Sequence, residues 1–276
     1  MKRIVTAAVL IPVVLFLVFL GPKWHWVFTL AVTGIAALAA WEFLSLAEQG
    51  GSKPPKIAVM AVLGILFATN SEWPDRTMAV FCLLSLALLI YCTFWRPVEQ
   101  VMADATASVF CLVYIGFTLL SLPALHEESN GPSVVTFLLC AVWAGDTVAL
   151  YVGRAFGKHK LAPTLSPNKT WEGAMGSLAG SLMAAGLLLG LATLLQRRDI
   201  TTLSYPYETW YWLVLAVVVN VAAQLGDLAE SALKRSVGVK DSGSLLPGHG
   251  GVLDRIDALL LAAPALWYAQ FIHQIL

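Results

Sequence analysis

Asp227, Glu230, Ser231 and Lys234 recur at i, i+3, i+4 and i+7 in "QLGDLAESALKR". A helix through them carries all four on one face. Downstream, "PGHGGVLDRIDALL" sets Asp254 and Asp257 at i, i+3 where another apolar run begins, behind glycines 248, 250 and 251. Asp146 lies within a further apolar run, "WAGDTVALYVGR", and Lys169 stands just ahead of a fourth. Carboxylates from several helices, with cations and Gly-rich turns beside them, are the parts list for divalent-metal phosphate chemistry. Mg²⁺ takes oxygen ligands from one or two carboxylates and from substrate phosphates, and two such ions can clamp an in-line displacement.

Each residue also has a plainer explanation. Glu230 and Lys234 have the spacing of an i,i+4 ion pair at an ordinary helix exit. Acidic residues are favoured in a helix's first turn, which accounts for one of Asp254 and Asp257 but poorly for two aligned with those upstream. Asp146 can be a buried partner for a basic residue. The glycines around His249 read equally as a connector or as a turn whose bare N–H groups suit phosphate. In "GRAFGKHKLAPTLSPNKTWEG", Ser166 and Pro167 fit an N-cap and first helical position. Lys158 and Lys160 fit a face toward anionic lipid. Lys169, beside the helix start, is the stronger site candidate.

Other chemistries fit less well. His249 has no G-x-S-x-G partner, and the remaining histidines are scattered at 25, 126, 159 and 273. "GRAFGKH" lacks the spacing of a P-loop and the Ser or Thr after its Lys. Cys82, Cys92, Cys111 and Cys140 fall inside apolar runs without CxxC spacing and read as small buried hydrophobes.

The elements that must position these groups are membrane helices. The 276 residues are 58% hydrophobic and 12% charged, far from the soluble norm of about a quarter charged. Nine apolar runs, at about 4–20, 24–46, 56–70, 77–95, 102–124, 133–156, 172–196, 209–236 and 252–275, predict an all-α, polytopic bundle of about nine transmembrane helices, the third the weakest. Of the 17 Lys and Arg, thirteen fall on one side of this topology. The positive-inside rule then puts the N-terminus in the cytoplasm and the C-terminus outside. The opening run has a basic start but no cleavage site, and reads as a retained first span. Asp227 lies about 24 Å along a span of a roughly 30 Å layer, close to the inner headgroup level. Of 17 basic and 17 acidic residues, seven crowd into residues 233–257.

The run from Gly226 to Asp257 resembles the signature of bacterial phosphatidate cytidylyltransferases, the CDP-diacylglycerol synthases, matching at Ser231, Lys234, Arg235, Lys240, Asp241, Pro247, His249, Gly250, Gly251, Asp254, Arg255 and Asp257. "GDT" at 145–147 and residues 153–173 also resemble family segments. The resemblance implies that CTP and phosphatidate give CDP-diacylglycerol and pyrophosphate with Mg²⁺, two ions being expected, in a bacterial inner membrane with the site facing the cytoplasm. It implies metal at Asp227, Asp254, Asp257 and Asp146. Catalytic roles fall to Asp227, Ser231, Lys234, Arg235, Asp254 and Asp257, and substrate contacts to Lys169, Lys240, His249, Gly250, Gly251 and Arg255. Residues 1–130 are then scaffold spans and 131–276 the catalytic ones. The partners are CTP, phosphatidate and membrane lipid, with no nucleic acid; a homodimer stays open. The alternative is a carrier using intramembrane carboxylates. Such sites sit near the midplane, whereas polarity here gathers on one side.

Overall fold

The computed structural model describes residues 11–245 and 250–275. Helices dominate, since a chain in hydrocarbon must satisfy its backbone N–H and C=O groups internally. They are α1 His25–Gln49, α2 Lys56–Glu72, α3 Thr77–Trp95, α4 Val101–Cys111, α5 Thr118–Glu127, α6 Gly131–Phe156, α7 Trp171–Gln196, α8 Thr209–Ser236 and α9 Leu253–Ile275. A π-helical segment, Leu112–Phe117, joins α4 to α5 without a break. Among the described residues, seven helical stretches are long and apolar enough to cross a membrane: 25–49, 74–95, 98–127, 131–156, 171–196, 209–236 and 253–273. These match seven of the nine runs expected from sequence. The run at 56–70 is α2, whose 17 residues span about 26 Å, short of the roughly 30 Å layer. The first run lies partly outside the described residues.

Between α6 and α7 the sequence folds as a short antiparallel hairpin, β1 Lys160–Ala162 and β2 Ser166–Thr170, pairing Lys160 with Thr170 and Ala162 with Ser166. Ser166 and Pro167 therefore do not begin a helix. The cap of α7 is Thr170, whose hydroxyl accepts the Gly173 N–H at 3.1 Å. Strand pairing won over a local helix-start pattern that sequence alone could not arbitrate. Glu172 secures the hairpin base, accepting the Lys158 N–H at 3.1 Å and sitting 2.6 Å from His159 Nδ1.

The chain forms two compact units. Of the described residues, one comprises 23–123, 233–245 and 250–256, the other 11–22, 124–232 and 257–275. The described residues of the segment 233–256 thus cluster with α1 to α4. In this first unit Phe43 of α1 packs on Phe110 and Tyr114, with ring centroids 5.7 and 5.9 Å away. Buried Asp104 accepts the Lys53 N–H at 2.5 Å and lies 3.7 Å from Arg96 Nε, tying the α1–α2 connection to α4.

In the second unit α6 and α7 approach closely through small residues. A Cβ on Gly176 would come within 2.7 Å of Val152, and one on Gly180 within 2.7 Å of the Ala144 carbonyl. Small-residue contacts of this kind let helices associate in lipid, where apolar surface gives no preference for protein over solvent. Polar side chains complete the seam. Ser181 donates to Ala141 O at 2.7 Å, and Asn220 of α8 donates to Ser177 and Ser181, each at 2.8 Å.

Candidate active site

In the second unit α6, α8, α9 and the hairpin converge their charged groups. Lys169 on β2 reaches Asp227 on α8, Nζ to Oδ2 2.7 Å. Ser231, one turn on, donates to Asp227 Oδ1 at 3.5 Å, a long bond. Asp257 lies within electrostatic reach of Asp227, Glu230 and Asp146, and Asp146 within reach of Asp227 and Lys169. Gly226 explains how α8 and α9 come so near. A Cβ there would stand 2.5 Å from the Asp257 carbonyl, so only glycine admits the crossing that sets Asp227 beside this part of α9. Lys169, Asp227 and Ser231 are thereby in contact, and Asp146, Glu230 and Asp257 lie within electrostatic reach of this group. Among the described residues, no three His, Cys, Asp or Glu side chains stand close enough to hold a metal ion as placed. The donor set is nonetheless all carboxylate oxygen, the chemistry that suits a hard divalent cation.

In the first unit a second constellation surrounds the start of α9. Lys234 donates to Asp254 Oδ1 at 2.6 Å, both side chains nearly buried. Asp254 Oδ2 accepts the Ser242 N–H at 3.0 Å, the Ser242 hydroxyl at 3.0 Å and the Gly251 N–H at 2.7 Å. Gly250 adopts φ +77°, and a Cβ on it would stand 2.5 Å from Asp254 Oδ2. Glycine is required there twice over, for the left-handed backbone and for the space. Arg235 turns to its own loop, donating from Nη1 to the Val239 carbonyl at 3.0 Å, and Lys240 and Arg255 are exposed. His249 lies outside the described residues.

The glycine turn could be read equally as a connector or as a source of bare N–H groups for phosphate. The Gly251 N–H serves Asp254, while the Val252 and Leu253 N–H groups donate to Glu42 of α1, at 3.0 and 2.8 Å. The orphan amides of this helix start are satisfied by the chain's own carboxylates, which compete with any ligand anion. Glu42 itself is a member of this constellation that the sequence reading did not single out. The signal was present, a single carboxylate inside the apolar run "AALAAWEFLSLA", where an ionisable group marks function by default.

With seven helical stretches among the described residues long and apolar enough to cross a bilayer, the chain is of the class of multi-pass helical membrane proteins. The particular family is settled by comparison: the chain belongs to the cytidylyltransferase family, whose model matches residues 1–273. It is 38% identical over 267 residues to a phosphatidate cytidylyltransferase of Brucella abortus biovar 1, covering 96% of this chain and 91% of that protein. It is 33% identical to a phosphatidate cytidylyltransferase of Haemophilus influenzae, covering 98% of each. With the Bacillus subtilis phosphatidate cytidylyltransferase it shares 32% identity over 97% of this chain and 96% of that one. The family generally uses a divalent metal.

Proposed function

We infer that this enzyme transfers the cytidylyl group of CTP to phosphatidate, releasing pyrophosphate and leaving CDP-diacylglycerol in the membrane. The observation that carries it is the similarity, over nearly the whole length of both chains, to proteins named for that reaction. The chemistry agrees. A phosphate monoester has a second pKa near 6, so at neutral pH the attacking oxygen is already an anion and no strong general base is needed. The barrier is the approach of two polyanions, which positioned cations lower.

Lys169, Lys234 and Arg235 are the groups proposed to meet triphosphate or lipid phosphate, with Ser231 orienting Asp227. Asp146, Asp227 and Asp257 are proposed to hold the divalent ion, read as Mg²⁺ and as one of two. Bound there, it would neutralise phosphate charge and polarise the phosphorus under attack. Asp254, expected among these ligands, is assigned a different part. With one oxygen on Lys234 and the other on three donors, it orients that lysine and the turn behind it. The proposed setting is a bacterial inner membrane, with the N-terminus and the site on the cytoplasmic side and the C-terminus outside.

The test is incorporation of radiolabelled CTP into chloroform-soluble lipid by purified protein in phosphatidate-containing micelles. Label should appear with Mg²⁺ and vanish with EDTA. Absence of CTP-dependent label would refute the reading, and gradient-driven flux in liposomes would replace it with a carrier. A tag at the N-terminus should resist protease added outside the cell while one at the C-terminus is cleaved; the opposite pattern inverts the topology.

A further inference from the structure

We propose that Glu42 on α1 is a positioning residue for this reaction, holding the loop at Ser242 and the first turn of α9 in the register that sets the Lys234–Asp254 pair. The proposal rests on the cytidylyl-transfer reading for its turnover assay. Glu42 is 7% exposed inside an apolar helix, a costly place for a carboxylate unless its oxygens are fully used. Both are hydrogen-bonded: Oε1 accepts the Val252 N–H at 3.0 Å, Oε2 accepts the Leu253 N–H at 2.8 Å, and the Ser242 hydroxyl, 3.1 Å from Oε2, shares its one proton between Glu42 and Asp254. Two amides that α9 cannot satisfy internally are thus answered by an anion at the positive end of the helix.

Ser242 links this anchor to the site. Its hydroxyl lies between Glu42 and Asp254, and its N–H donates to Asp254. Leu253, which Glu42 holds, directly precedes Asp254, whose Oδ1 stands 2.6 Å from Lys234 Nζ. A slip of the helix start would carry Asp254 away from the lysine. The glycines of the segment make room for this carboxylate. A Cβ on Gly251 would fall on Glu42 Oε2 and the Ser242 hydroxyl, and one on Gly243 would come 2.8 Å from Glu42 Oε1. Glycine 251 therefore acts through Glu42, and the two positions must fail in the same way.

The variants are Glu42→Ala, Glu42→Gln, Gly251→Ala and the double Glu42→Ala/Gly251→Ala, assayed at 25 °C on protein shown to be helical and monodisperse. Glu42→Ala and Gly251→Ala should each lower kcat about 10- to 100-fold, as misplacement of catalytic groups by an ångström can. The double variant should be no worse than the worse single, and Glu42→Gln, which keeps the length and one acceptor, should recover part of the loss. Unchanged kcat and KM with only a lower melting temperature would overturn the proposal, as would losses that multiply in the double variant. If Glu42→Ala does not fold, Glu42→Gln and Gly251→Ala with their double decide on the same criteria. Amide exchange at Val252 and Leu253 tests the anchor without turnover: Glu42→Gln should speed it at least tenfold, and unchanged exchange overturns the anchor whatever the substrate. A wild-type chain that moves no label from CTP to lipid sinks the function reading and leaves the exchange test standing.

Discussion

Asp227 and Asp254 are both aspartates of the run from Gly226 to Asp257, yet their surroundings differ. In the second unit Asp227 is 37% exposed at the side chain, has Lys169 at 2.7 Å, itself 24% exposed, and a long contact from Ser231. In the first unit Asp254 is 7% exposed, its oxygens accept four hydrogen bonds, and its lysine partner is 11% exposed. A carboxylate with unused lone pairs and access can take a ligand. One whose lone pairs are spent on lysine, a hydroxyl and two backbone amides serves the architecture first. Membership in the same signature does not distinguish the two aspartates; their hydrogen bonds and exposure do.

The largest effect should come from the open cluster. Asp227→Asn and Asp257→Asn are each expected to lower kcat by about 10²- to 10³-fold, the scale of losing one electrostatic contact to the transition state, while the melting temperature holds. Steady-state kinetics beside a thermal melt checks both halves, and a normal rate in either variant removes that residue from the ligand set. Asp254→Asn sharpens the contrast by losing stability too. It leaves the nearly buried Lys234 ammonium without its counter-charge, a change of about 3–5 kcal/mol when one partner of a buried pair is removed. An unchanged melting temperature would erase the distinction drawn here. Lys169→Ala should cost about tenfold in kcat/KM for CTP, with Lys169→Arg keeping most of it; an effect on KM alone would make Lys169 a uniform binder. Ser231→Ala should cost only about twofold, because a 3.5 Å hydrogen bond contributes little. A hundredfold loss would place the Ser231 hydroxyl on substrate instead.

Much of this was legible before any coordinates. The apolar runs marked the helices because hydrocarbon forces the backbone to close its own hydrogen bonds, and the i, i+3, i+4, i+7 stripe on α8 was a matter of helical period alone. The acidic residues within spans pointed to the site because an ionisable group in lipid is costly to keep. What misled was local grammar. Ser166 and Pro167 spell a helix start, yet pairing with Lys160–Ala162 made them a strand. The glycines around 250 left connector and phosphate cradle equally open, and neighbouring carboxylates accept the Gly251, Val252 and Leu253 amides. Glu42 could be seen as an anomaly in its run, but nothing in the sequence said that it answers to residues 210 positions away.

By itself, then, the sequence determined the class of fold, the faces on which charges lie and the family, since these depend on residue type, period and a long matching pattern. Tertiary structure alone decided which donor each carboxylate oxygen accepts, and hence which acids are spent on holding backbone and which have lone pairs left for a ligand. The reason is physical: a hydrogen bond forms between groups near in space, and in a helical membrane protein those groups come from segments whose separation along the chain carries no trace of their meeting.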